Sequence, residues 1–243
     1  MITDREPITT TFRQRHTAIN HFSERFSMKG LYPTVLTQPS PLNNRFYPVT
    51  VHNAQAMIES LLYSSLAKDD NNLLFPNPDD PLAPPAPSVV QNIADIDTGD
   101  VYRTAYKNLC TRPNQVICGI ICYIDKLATD RHGHLSLEPV YFTLSIFNKK
   151  TRNRSEAWRP LGYIPNIGLM SKAESTNAMK SSAKVQLYHD ILSKIFGSLV
   201  DLQGKEGGLP YQFFYRGKVY NALLLFPLLV VLGDTESHDR LCG

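Results

Sequence analysis

Disulfide chemistry is nearly absent from this sequence, whose 243 residues hold four cysteines, Cys110, Cys118, Cys122 and Cys242. Cys118 and Cys122 fall in one apolar run that reads as a strand. Four positions of separation put them on one face about 13 Å apart, beyond disulfide reach. No CxxC or Cys/His zinc pattern is complete. They read as reduced thiols acting as small hydrophobes in an intracellular protein. Long apolar runs are lacking too. The longest, Ala222 to Leu232, is interrupted by Pro227 and falls far short of the ~20 residues of a membrane span, so it reads as a core strand. The opening Met1-Ile2-Thr3-Asp4-Arg5-Glu6 has no apolar segment of a secretory signal.

Charge of one sign is also scarce. Lys and Arg number 25 against 22 Asp and Glu, and a net charge of +3 neither requires nor excludes a nucleic-acid partner. Seventeen prolines and 13 glycines show no period, which excludes collagen and elastic repeats. Gly204 to Gly208 lacks the GxxxxGK[ST] phosphate loop, and no G-x-S-x-G elbow occurs. What remains is an apolar fraction of 42% with 19% charged residues, enough for a sizeable core in one large or two small domains.

Residues 1–50 are polar with scattered aromatics and read as an extended arm, with one short helix around His16 to Phe26. Ala54, Met57, Ile58, Leu61, Leu62 and Leu66 recur at helical spacing and predict an amphipathic helix. Six of the twelve residues from Pro76 to Pro87 are proline, an extended linker that divides an N-terminal part, 1–87, from a core, 88–243. A short helix is expected from Gly99 to about Leu109, capped by Asp97 or Thr98.

The nearly continuous apolar run Val116 to Ile124 predicts a strand buried on both faces and running into Asp125. A second strand is expected from Leu137 to Phe147. The basic turn Asn148 to Arg154 leads to a third around Trp158 to Ile164, completing an antiparallel meander. Leu187, Tyr188, Ile191, Leu192, Ile195, Phe196, Leu199 and Val200 mark one stripe of a long helix. A hairpin about Arg216-Gly217-Lys218 follows, and then the apolar strand Leu228 to Leu232, which runs into Gly233-Asp234.

Two apolar strands thus end in an aspartate. Parallel neighbours in an α/β sheet bring their C-terminal ends to one edge, where ligands bind. Asp125 and Asp234 would then lie side by side, and two close carboxylates favour a divalent cation between them. The competing reading is that a strand-terminal Asp simply opens a turn. The order strand–strand–strand–helix–strand is the layout of the RNase H-like fold, an α/β architecture with a mixed sheet, here with an extra hairpin before the last strand and a mostly helical or irregular N-terminal region.

Several segments resemble the Plavaka-like transposases, members of the CACTA/KDZ assemblage of DDE/D transposases. They are Ile124-Asp125-Lys126, Asp130-Arg131-His132-Gly133, Leu137-Glu138-Pro139-Val140, Phe147 to Asn153, Ala157 to Pro165 and Gly233 to Gly243, with Asn72-Leu73-Leu74-Phe75-Pro76-Asn77 upstream. The resemblance covers roughly residues 55–243. It implies that Asp125 and Asp234 are the first and second catalytic, metal-binding aspartates, holding Mg²⁺ or Mn²⁺. It implies cleavage and strand transfer of DNA, with transposon ends and target DNA as partners, a nuclear location, no membrane, and an oligomeric state open to a homo-oligomer. The family's third acidic residue lies on a later helix, and nine residues follow Asp234. The chain is therefore expected to be a core lacking its last acid, binding DNA modestly and cutting little. The alternatives are a non-enzymatic DNA-binding or structural remnant, and a nuclease that takes its last acid from another chain.

Between Lys149 and Lys184, eight basic residues face two acidic ones. Lys149, Lys150, Arg152, Arg154, Arg159 and Lys180 are the candidate phosphate contacts, against the plainer reading of a solvated turn and helix face. Trp158 reads as core, and His132, His134 and His238 as solvated.

Overall fold

β-Branched residues between 34 and 51 build two strands, β1 (Thr34–Pro39) and β2 (Phe46–Val51), paired antiparallel with Thr34 opposite Val51. The computed structural model describes residues 32–40, 46–85, 94–125, 127–128, 136–165, 167 and 177–233, of which 127–128, 136–137 and 177–181 are described by backbone. Residues 33–243 form one compact unit. The arm expected up to residue 50 is thus β-sheet from residue 34, and the helix expected at His16 to Phe26 lies outside the described residues.

Helix α1 (Ala54–Leu62) starts at Asn53, whose side chain accepts from the Ala56 amide at 2.9 Å, and buries the expected Ala54, Met57, Ile58, Leu61 and Leu62. The proline-rich stretch that follows forms neither strand nor helix up to residue 85. It is tied to the body at its start, where Asp79 accepts from Arg216 at 3.0 Å, and just ahead of it Phe75 stacks on Phe213 and the Leu74 amide donates to the Ile146 carbonyl at 2.7 Å. Helix α2 (Asp100–Leu109) follows a 3₁₀ turn, Ile96–Thr98, closed by a capping box between Asp95 and Thr98.

The apolar run from Val116 is two strands, not one. β3 (Gln115–Ile117) and β4 (Ile120–Ile124) belong to different sheets. Continuous hydrophobicity says that a strand is buried and nothing about where it bends. The bend is at Gly119, whose amide donates to Ser145 Oγ and whose carbonyl accepts from the Ser145 amide, both at 2.8 Å. A Cβ there would lie 2.1 Å from Leu229 Cδ1, so glycine leaves the space that the Leu229 side chain fills.

β5 (Leu127–Ala128) and β6 (Ser136–Leu144) come next, then the short helix α3 (Lys149–Arg152) in place of the expected basic turn, and β7 (Arg159–Ile164). Helix α4 (Asn177–Gln203) leads to β8 (Leu209–Tyr215), β9 (Lys218–Leu225) and β10 (Leu228–Gly233). The β8–β9 hairpin turns through Arg216 (φ 47°) and Gly217 (φ 79°), the left-handed pair that a two-residue hairpin loop requires.

The main sheet has the order β1-β2-β7-β6-β4-β10, with β5 beside β6. Its neighbours are antiparallel except β4 and β10, which are parallel. The second sheet, β3-β9-β8, continues the first, because β9 runs parallel to β3 just as β10 runs parallel to β4. Two parallel strand pairs therefore pass from one sheet to the other together. The fold is mixed α/β.

Helices α1 and α4 cover one face of the main sheet. Ala54, Ile58, Ile120, Phe142, Leu161 and Leu199 meet between them. Against the end of β3 and the start of β10, α2 packs Tyr102 onto Ile117 and Leu229, with Val230 beside them. Strand alternation turns Tyr123 away from Ile120, Cys122 and Ile124. Tyr123 and its neighbour on β10, Leu232, are 39% and 43% exposed, so this part of the face is open.

Candidate metal-binding strand edge and basic loop

Strand β4 delivers Asp125 to the end of the sheet, immediately after buried Ile124. Parallel pairing sets Gly233, the residue before Asp234, opposite Ile124, the residue before Asp125. Asp234 itself lies outside the described residues, as do Lys126, His132, His134 and His238. Asp125 is half-buried, and one of its oxygens, Oδ2, accepts from the Tyr123 hydroxyl at 2.7 Å. The Tyr123 ring meets Trp158 edge-on, with centroids 6.4 Å apart.

A hard carboxylate oxygen at a half-open strand end suits Mg²⁺ or Mn²⁺. Among the described residues no group of three or more His, Cys, Asp or Glu comes together to hold a metal, so this part of the site supplies Asp125 alone. Glu138 is near the same end of the sheet, where it pairs with Ile164 two residues before Val140 meets Ile124. It shares the face of Ile124, however, where the Tyr188 hydroxyl of α4 donates to its Oε1 at 2.7 Å. The sheet separates it from the face that carries Tyr123 and Asp125. The cysteines are held as thiols: burial pushes the Cys122 thiol, on the opposite face of β4 from Tyr123, up to about 12 and the Cys110 thiol up to about 11.

The basic loop follows β6 at the other end of β4, since Leu144 pairs with Ile120. Its helix α3 is clamped by neighbouring asparagines. Asn148 caps the Thr151 amide at 2.9 Å and donates to the Asn71 carbonyl at 2.6 Å, while the buried Thr151 hydroxyl donates to Asn72 Oδ1 at 3.0 Å. Lys149, Lys150 and Arg154 are exposed. Arg152 and Arg159 point inward. Arg152 forms an ion pair with Asp95 and donates to the Phe147 carbonyl. Arg159 donates to Ser60 Oγ at 2.9 Å and to the Glu156 and Trp158 carbonyls at 2.8 Å, and burial lowers its pKa. These two guanidiniums tie the loop to the body, leaving the two lysines and Arg154 as its solvent-facing cations. Lys180 belongs to α4 by its backbone, and its side chain is outside the described residues.

Trp158 links the two ends. Read as core from the sequence, it is half-buried, and it donates its indole N–H to the Arg152 carbonyl at 2.6 Å while its ring meets Tyr123. Sequence reasoning passed over Tyr123 and Asp95. The signals were there: Tyr123 precedes Asp125 by two on a strand and so shares its face, and Asp95 stands three residues before Thr98 in a capping pattern.

No helix among the described residues is long and apolar enough to cross a membrane. No curated protein matches the chain. A family model described as Plavaka transposase matches residues 16–212, and with most of its length inside that match the chain belongs to the Plavaka transposase family.

Proposed function

We propose that this protein is a transposon-derived, DNA-processing core of RNase H-like type, in which Asp125 and Asp234 together bind Mg²⁺ or Mn²⁺ in the nucleus. The parallel register of β4 and β10 carries this reading, because Gly233 opposes Ile124 and each is followed directly by an aspartate. The order β7-β6-β4-β10, antiparallel up to a parallel last step with α4 between β7 and β10 in sequence, supports the RNase H-like assignment. Family membership supports DNA as the substrate class, in the form of transposon ends and target.

In this reading Asp125 offers carboxylate oxygen to the cation at the strand edge. Lys149, Lys150 and Arg154 contact the phosphate backbone near the far end of the same strand. A bound divalent cation supplies Lewis-acid polarisation of the phosphodiester and a more acidic attacking water. The chain is expected to bind DNA through the α3 loop and to cleave it weakly or not at all. That outcome shades into the second reading, a DNA-binding remnant, which the exposed cations of the α3 loop favour.

Calorimetric titration with Mg²⁺ and Mn²⁺ separates the readings. Saturable binding by wild type that is lost in both Asp125→Ala and Asp234→Ala supports a shared site. No saturable binding by wild type overturns the metal-dependent reading and leaves the DNA-binding remnant.

A further inference from the structure

We infer that Tyr123 is a positioning residue for the Asp125 carboxylate, an inference that rests on the metal-binding reading of Asp125. A tyrosine 39% exposed on an open sheet face can satisfy its hydroxyl with water. This one is directed at a carboxylate oxygen two residues along its own strand, at 2.7 Å. The hydrogen bond engages Oδ2 and fixes the plane of the carboxylate, so that Oδ1 is presented to a cation in one orientation. Carboxylate ligands in metal sites are commonly held in this way by an outer hydrogen-bond donor, and loss of that donor weakens metal affinity about 10–100-fold.

The donor is itself held in place. The Tyr123 ring abuts Trp158 edge-on. The indole is fixed by its 2.6 Å hydrogen bond to the Arg152 carbonyl, and Arg152 is fixed by its ion pair with Asp95. Asp95 also accepts from the Lys149 amide at 3.1 Å. Across the strands, Tyr123 faces Tyr141 on β6 and Leu232 on β10. The orientation of Asp125 is thus traceable to the capped turn before α2 and the helix of the basic loop.

Titration of the full chain with Mn²⁺, read by the electron paramagnetic resonance signal of the free ion, tests this without recourse to catalysis. Tyr123→Phe keeps the ring and its Trp158 contact. It is expected to weaken Mn²⁺ binding on the order of tenfold with an unchanged Trp158 emission spectrum. Asp125→Asn is expected to abolish binding, and Tyr123→Phe combined with Asp125→Asn should be no worse than Asp125→Asn alone. Wild-type Mn²⁺ affinity in Tyr123→Phe, with loss confined to Asp125→Asn, overturns the positioning role and leaves the metal site standing. An Asp125→Asn variant that binds Mn²⁺ as wild type does, or a wild type that binds none, overturns the metal reading and the positioning role with it.

Discussion

Arg152 is ion-paired with Asp95, two residues 57 apart in sequence, and the pair is largely shielded from solvent, with side-chain exposures of 13% and 16%. A cation in a basic loop is therefore committed to folding. Removing it leaves the shielded Asp95 carboxylate with only the Ile96 and Lys149 amides as donors and frees the Phe147 carbonyl, and a shielded charge without its counter-ion is costly. Arg152→Ala is expected to destabilise the protein by about 2–3 kcal/mol in urea unfolding. Asp95→Asn should lose less, because the amide still accepts a hydrogen bond.

The exposed cations of the same loop should behave in the opposite way. Each phosphate contact contributes about 0.9 to the slope of log affinity against log salt for duplex DNA. Replacing Lys149, Lys150 and Arg154 with Gln is expected to flatten that slope by up to about 3 and to leave the unfolding midpoint nearly unchanged. Fluorescence-anisotropy binding of a labelled duplex at several salt concentrations measures it. An unchanged slope would remove the α3 loop from the DNA-binding surface.

The same contrast explains what could be read from the sequence. The meander, the long helix and the apolar last strand were legible because Leu187, Ile191 and Ile195 repeat with the period of a helix and Val140, Phe142 and Leu144 with that of a strand, while Leu228 to Leu232 is apolar throughout. The strands β1 and β2 were not. Pro39 and Pro48 interrupt them, and only Gln38 and Val49 within them are buried, so little apolar periodicity marks them. Asp125 was legible because a strand-ending carboxylate stands out after an apolar run. The inward turn of Arg152 and Arg159 was not, because their side-chain partners, Asp95 and Ser60, lie 57 and 99 residues away. Charge counting cannot separate a cation that meets solvent from one that ties two loops together.

The sheet-to-sheet bend makes a sharper demand than any charge. Gly119→Ala places a methyl group 2.1 Å from Leu229 Cδ1 and 2.5 Å from its Cγ, while the Gly119 amide and carbonyl are both held by Ser145, so the Leu229 side chain must shift to admit it. Overpacking of this kind costs about 1–3 kcal/mol. Shortening Leu229 to Ala costs stability on its own but opens the space that the new methyl needs. A double-mutant cycle on Gly119→Ala and Leu229→Ala should therefore show favourable coupling, measured by urea unfolding of all four proteins. Additive losses would mean that the bend is set elsewhere, with Gly119 only permitting it.

Alkali should loosen the protein through its thiols. Burial raises the Cys110 thiol from 9.0 to about 11 and the Cys122 thiol from 9.0 to about 12, and it shifts Cys118 upward as well. A raised pKa means that the folded state holds the proton more tightly than the unfolded chain does. The stabilisation is fully present below the unfolded value near 9 and is lost as pH climbs through the folded values. Unfolding free energy is thus expected to fall between about pH 9 and pH 12 in wild type. Cys122→Ala, although less stable at neutral pH for lack of the buried sulfur, should show a shallower decline over that window. Urea midpoints collected at half-unit pH steps test this, and an identical alkaline slope in the two proteins would assign the loss to other groups. The buried hydroxyl of Tyr102, which burial also shifts upward, would then be the next to replace, as Tyr102→Phe.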